Sequence, residues 1–236
     1  MTAAARHAPR RYLTRDELRA DFDRIAAVQP EGSLPQLGRY AWIERQLPPA
    51  PARALDLGCG TGSLTRILAQ RCGEAVGVDL SPAMLAEARA QTPHDCRARY
   101  LEGDFRNVFA PDEMFDVVTA VATLHHMPIA EAFRAAAARV RPGGLLLVVD
   151  LRESPELPGG LQALGRWVLA HFDQWLLARR PRRPGASAAW AAHGDNERLP
   201  SVQEIRCAQA DVLPGATLTF HLRWRWSLAW RAPRSS

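Results

Sequence analysis

The chain has 236 residues, 47% hydrophobic and 23% charged, which suits one medium-sized folded domain with appendages rather than a disordered or fibrous chain. No stretch of about 18 residues is apolar and free of charge, so no membrane span is expected; the longest candidate, Leu161 to Ala178, is interrupted by Arg166, His171 and Asp173. The formal charge of +5 comes entirely from arginine, since the chain contains no lysine, and its surplus sits in residues 151–236, where 12 Arg face 7 acidic residues, against 18 and 18 before that.

In chain order, Arg15–Ala27 and Leu37–Leu47 carry helical patterns. Ala52 to Leu57 (ARALDL) is expected to be a first strand and Ser63 to Arg71 the helix behind it. Ala75 to Leu80 (AVGVDL) predicts a second strand, followed by Ser81-Pro82, a favoured N-cap with proline in the first helical turn. Tyr100-Leu101 belongs to a short third strand ending near Asp104. Phe115 to Val121 (FDVVTAV) is a fourth, Ile129 to Val140 a helix stopped by Pro142-Gly143-Gly144, and Leu145 to Leu151 (LLLVVDL) a fifth. Such alternation, with strands apolar on both faces, predicts an α/β doubly wound, mostly parallel sheet.

Beyond residue 151, Leu161, Leu164, Val168, Phe172, Trp175 and Leu176 form an amphipathic helical stripe, and Pro181 to Gly185 reads as a turn. Residues 186–200 are polar and are expected to be irregular. Pro200-Ser201 opens a short helix that Leu213-Pro214-Gly215 breaks. Thr217 to Trp230 alternates in the manner of strands, with Trp224, Trp226 and Trp230 expected at the sheet edge and Arg223 and Arg225 on the other side.

The chemistry is concentrated in LDLGCGTG at 55–62, between a strand and a helix. Gly58, Gly60 and Gly62 permit a tight turn that a ligand can approach closely, with Cys59 a small residue fitted among them rather than a reactive thiol. A Walker-type phosphate loop would need a lysine after Gly62, where Ser63 stands, and a dinucleotide fingerprint would need a glycine at that same position. Asp56, two residues before the first glycine, would repel a pyrophosphate and suit a ligand bearing an ammonium group.

Asp56, Gly58, Gly60 and Gly62 resemble the cofactor loop of class I S-adenosylmethionine (SAM)-dependent methyltransferases, small-molecule type, bacterial branch. That resemblance covers residues 52–151 and implies the seven-stranded Rossmann-like methyltransferase fold with a helical cap. It also implies SAM as cofactor, with S-adenosylhomocysteine as product. Asp79, 21 residues after Gly58, would accept hydrogen bonds from the ribose hydroxyls. Leu80 would pack on the adenine, and Asp104 and Phe105 would clamp it. The ending LRWRWSLAWRAP is similar to the closing strands of the same branch.

The fourth strand runs into Ala122-Thr123-Leu124-His125-His126-Met127, at the carboxyl end where open sheets bind ligands. His125 or His126 could serve as catalytic base; the alternative is that one edges the cofactor and the other bonds locally. No N/D-P-P-Y/F motif of base-amino methyltransferases follows the strand. Division into an N-terminal helical lid (1–50), a SAM-binding core (51–151), a helical cap (152–200) and a C-terminal helix with closing strands (201–236) therefore accompanies an expected small-molecule acceptor. Tyr12, Phe22, Tyr40, Trp167, Phe172, Trp175 and Trp190 are candidate pocket walls.

The run Arg179, Arg180, Arg182, Arg183 could bind phosphate, which keeps an RNA methyltransferase as an alternative, beside a non-catalytic SAM-binding partner protein; a solvated helix end is preferred for the run, making nucleic acid an unlikely partner. Cys59, Cys72, Cys96 and Cys207 show no ligand spacing, so no metal site is expected. The N-terminal basic residues lack an apolar stretch behind them, so a secretory signal is not expected and a cytoplasmic location is.

Overall fold

A computed structural model describes residues 11–28, 39–153, 186–221 and 224–234. The stripe Leu161–Leu176, the turn at 181–185 and the run Arg179–Arg183 lie outside the described residues, as do Trp167, Phe172, Trp175 and Arg223.

Two helices, α1 (Arg15–Val28) and α2 (Arg39–Gln46), precede the sheet. Then β1 (Arg53–Leu57), α3 (Ser63–Arg71), β2 (Glu74–Asp79), α4 (Pro82–Ala90), β3 (Ala98–Glu102), β4 (Phe115–Val121), a 3-10 turn (Leu124–His126), α5 (Ile129–Ala137) and β5 (Val140–Leu151) alternate as expected. After these come α6 (Ala186–Asn196), α7 (Val202–Val212), β6 (Thr217–Phe220) and β7 (Arg225–Arg231). The seven strands form one sheet in the order β3-β2-β1-β4-β5-β7-β6, with β1 to β5 parallel and β7 antiparallel to both neighbours. Strand order reverses between β1 and β4, which opens a crevice beyond their carboxyl ends.

Alternate residues of the strands feed cores on opposite faces. On β5, Leu146 and Val148 join Phe133 of α5 and Ile205 of α7, while Leu145, Leu147 and Val149 join Ile43 of α2 and Leu64 and Leu68 of α3. The doubly wound expectation is thereby met. α4 starts as its sequence dictates: Ser81 Oγ accepts from the Met84 amide at 3.0 Å with Pro82 in the first turn. α7 opens on a reciprocal capping box, Ser201 with Glu204.

Three expectations need correction. Residues 186–196 are helical, not irregular: ASAAWAA is rich in alanine, the strongest helix former, and Ala189 packs on Ile25 and Met84. Pro142-Gly143-Gly144 is not a free turn but lies inside β5, where the Gly143 amide donates to Ala232 O and the Ala232 amide to Gly144 O. α5 accordingly ends at Ala137 instead of running to Val140. Finally, Trp226 and Trp230 do not fill the sheet edge. β7 is an interior strand between β5 and β6, with Trp226 fully buried, whereas Trp224 precedes the strand at φ +59°.

No helix among the described residues is long and apolar enough to cross a membrane.

Candidate active site

The glycine loop is pinned to the end of β2 by its backbone. The Cys59 amide donates to Val78 O at 3.0 Å, and the Gly60 amide to Asp79 Oδ2 at 2.8 Å. Gly58, Gly60 and Gly62 all have positive φ, for different reasons. A Cβ on Gly62 would strike the Tyr100 hydroxyl at 2.5 Å, and one on Gly58 would overlap Thr123. A Cβ on Gly60 would meet nothing within 4 Å. Gly58 and Gly62 are thus required by the fold, while Gly60 leaves open space above the loop.

Cys59 Sγ nestles where a Gly77 Cβ would otherwise stand, and burial pushes its thiol well above the usual range. It fits the small-residue role.

Beneath the loop, Asp56 is 2% exposed and accepts from the hydroxyls of Thr65 (2.8 Å) and Thr119 (3.0 Å). Burial pushes its carboxyl up to about 7 against those two hydrogen bonds. The sign follows: a carboxyl whose folded pKa lies above its unfolded value favours folding most in acid, and that contribution is lost as pH rises from about 4 to about 7. We expect the melting temperature of the ligand-free wild type to fall across this window relative to Asp56→Asn. Parallel melting curves for the two proteins would contradict the assignment.

Asp79 spends one oxygen on the Gly60 amide and the other on the Ser81 amide (2.9 Å), so a carboxylate with about four acceptor sites keeps two for a ligand. Burial raises its pKa despite the amides. Leu80 beside it is half-buried. The Gly103 amide donates to Asp79 O at 2.9 Å, joining the ends of β2 and β3. Asp104 follows, but both its oxygens are held by the Arg106 guanidinium (2.9, 3.0 and 2.6 Å), which outweighs burial and keeps its pKa low. Any ligand amine would share Asp104 with that guanidinium. Phe105 is buried in the main core with Phe109 and Phe115.

β4 leaves the sheet through Ala122 at φ +53°, and Thr123 Oγ1 reaches Gly58 O at 3.5 Å. The histidine pair thus starts next to the glycine loop. Asp150, at the end of β5, accepts from the amides of Leu124 (2.8 Å) and His125 (3.2 Å) and from His125 Nδ1. His125 Nε2 lies 2.7 Å from Glu197 Oε1, just beyond α6; His126 Nδ1 lies 3.0 Å and His193 Nε2 3.4 Å from the same oxygen. Burial would lower the His125 pKa, but Asp150 and Glu197 hold it up at about 10. His126 is pushed down to about 4 by burial and by the charge of His125. With both ring nitrogens of His125 facing carboxylates, that ring has no nitrogen left for a substrate proton.

α1 roofs this end of the sheet. Asp23 accepts from the Ser81 hydroxyl at 2.5 Å, Arg19 pairs with Glu102 at 3.2 Å, and Asp21 lies 3.1 Å from His193 Nδ1. Phe22 sets its ring edge-on to His126, 5.4 Å between centroids, and to Trp190 at 6.4 Å. Of the candidate wall residues, Phe22 and Trp190 are at the site. Tyr40 packs in the core of the opposite sheet face, and Tyr12 stacks with Arg198. Sequence reading missed Asp21, Asp150, His193 and Glu197. Two signals were there: an aspartate closing the apolar run LLLVVD, and the i, i+4 spacing of His193 and Glu197.

A mostly parallel sheet of this order, with a glycine loop after β1 and a carboxylate closing β2, defines a crevice for a nucleoside-bearing ligand. Residues 54–144 match the family model described as "Methyltransferase domain". An uncharacterized methyltransferase of Mycobacterium tuberculosis is 32% identical over 82% of this chain and 93% of its own length. The 2-methyl-6-phytyl-1,4-hydroquinone methyltransferase of Synechocystis is 31% identical over 69% of this chain, which spans only about half (49%) of that relative. Among solved structures, N-methyltransferase NodS from Bradyrhizobium japonicum superposes with a TM-score of 0.61 at 14% identity, covering 92% of this chain and 98% of that one. The chain belongs to the class I SAM-dependent methyltransferases.

Proposed function

We propose that the chain binds SAM over residues 56–62 and transfers its methyl group to an O, N or C atom of a small molecule. The observation that carries this reading is Asp56: a buried carboxylate under a ligand-accessible glycine loop, given neutral donors by Thr65 and Thr119 and costly to ionise until a cation approaches. The ammonium of the methionyl end fits that need. Gly60 keeps the space above the loop open, Asp79 has acceptor capacity for two ribose hydroxyls, and Leu80 offers an apolar edge. SAM supplies a methyl carbon already activated by its sulfonium charge. What this chain adds is positioning and exclusion of water: α1 and α6 bring Phe22 and Trp190 over the end of the sheet. Proton removal is assigned to neither His125 nor His126. The named hydroquinone methyltransferase relative supports a small-molecule acceptor, for which no nucleic-acid partner is needed.

Asp79→Ala removes charge-assisted hydrogen bonds worth about 1.5–3 kcal/mol, so calorimetry should show SAM binding weakened by about 10–100-fold. Affinity equal to wild type would remove Asp79 from the site. Incubation with labelled SAM and a fractionated extract should place the methyl label in a small-molecule fraction. Label in RNA or protein alone would overturn the substrate class.

A further inference from the structure

Three donors from two distant parts of the chain, the adjacent His125 and His126 and the remote Glu197, converge beyond the end of β4. His125 Nε2, His126 Nδ1 and Glu197 Oε1 all lie within 4.8 Å of one another, and all three side chains are largely buried. Glu197 Oε1 gathers three imidazole nitrogens, at 2.7, 3.0 and 3.4 Å, on one carboxylate oxygen. Two imidazole nitrogens and a carboxylate oxygen gathered this closely at a buried place form a donor set of the kind a divalent cation takes. Ligands of a tetrahedral zinc at about 2.0–2.2 Å sit roughly 3.3 Å apart, so modest side-chain shifts would complete the geometry.

The surrounding shell is arranged to match. Ligating histidines usually donate their other ring N–H to a carboxylate, which fixes tautomer and orientation. The Nδ1 of His125 is held by Asp150, itself anchored by three backbone amides, those of Leu124, His125 and Leu151. His193, whose Nε2 faces the same Glu197 oxygen at 3.4 Å, has its Nδ1 on Asp21. Phe22 and Trp190 close the cluster with apolar rings.

We propose that His125, His126 and Glu197 bind a zinc-class divalent cation, with Asp150 and His193 as the orienting shell. Two imidazoles and one carboxylate suit zinc and its first-row neighbours. The cation would tie the segment after α6 to the exit of β4, and three protein donors leave a fourth position for water. The expected absence of a metal rested on cysteine spacing; these donors lie 71 to 72 residues apart, where no spacing rule reaches.

The test uses the full chain, stripped with a chelator and titrated with Zn2+ alone. One zinc per chain is expected by elemental analysis, with a rise in melting temperature. Zinc affinity should fall at least 10–100-fold in Glu197→Gln, and by about 10–100-fold in Asp150→Asn. Substoichiometric uptake by the wild type, or uptake unchanged in both variants, would overturn the site. Should the variants fail to fold, the Co2+-loaded wild type decides. Visible d–d bands without thiolate charge transfer support the site, and a thiolate band, pointing to cysteines instead, sinks it. SAM affinity measured separately is not an arm of this test, because the metal site stands or falls apart from the methylation reading.

Discussion

Replacing Gly60 with valine is expected to abolish SAM binding while leaving the fold in place. The backbone at Gly60 has φ +52°, a left-handed conformation that costs an L-residue about 1–2 kcal/mol, and a β-branched one more. A domain of this size tolerates that loss. No atom of the protein stands within 4 Å of the added Cβ, so the side chain projects into the space over the loop that the cofactor would occupy. Gly62→Val should behave differently, since its Cβ meets the Tyr100 ring at 2.5–2.8 Å and the loop itself must move. Calorimetry with SAM, paired with thermal melts, separates the two. Gly60→Val should melt within a few degrees of wild type and bind nothing; Gly62→Val should melt far lower. Gly60→Ala, with less strain, guards against backbone rearrangement and should still lose most affinity. Tight SAM binding by a folded Gly60→Val protein would displace the cofactor from the loop.

The core of the fold was legible because its signals are local. β4 and α3 fall at the expected residues, and β1 and β2 within one or two, since each is an apolar run or amphipathic stretch bounded by glycine, proline or an N-cap. What was not legible depends on distant partners. α6 has few large apolar residues to set a helical period, and its docking onto Ile25 and Met84 cannot be read from its own composition. Pro142-Gly143-Gly144 looks like a terminator until the C-terminal segment, some 90 residues later, lends Ala232 to pair with it.

The same division runs through the site. Asp56, the glycines and Asp79 lie within 24 residues of chain, and their order discriminates between nucleotide loops. Asp104 was placed correctly at the end of β3, but its capture by Arg106, two residues on, was not foreseen, because a neighbouring arginine could as well face solvent. His125 and His126 were located by the strand they follow. Their partners Asp150, His193, Glu197 and Asp21 come from β5, α6, the segment just after it, and α1, and only the folded chain brings them together. The aromatic pair Phe22 and Trp190 was picked out among seven candidates with no means of ranking them.

Trp226→Ala is expected to cost about 3–5 kcal/mol of stability, the usual price of truncating a buried tryptophan. Trp226 is fully buried, packs edge-on against Phe133 at 5.8 Å, and donates its indole N–H to Leu151 O at 2.9 Å. Its position makes the loss more than a packing defect. In the antiparallel ladder Trp226 stands opposite Asp150, and Leu151, whose carbonyl the indole holds, gives its own amide to the Asp150 carboxylate at 2.7 Å. That carboxylate in turn fixes the amides of Leu124 and His125. The tryptophan therefore braces the strand end from which the histidine turn is hung. Trp226→Phe keeps most of the buried area but forfeits the indole hydrogen bond, about 1 kcal/mol, and separates the two contributions. Denaturant unfolding should rank wild type above Trp226→Phe above Trp226→Ala, with the larger gap below phenylalanine. If Trp226→Ala lost less than about 1 kcal/mol, β7 would not be the interior strand that closes this sheet and supports Asp150.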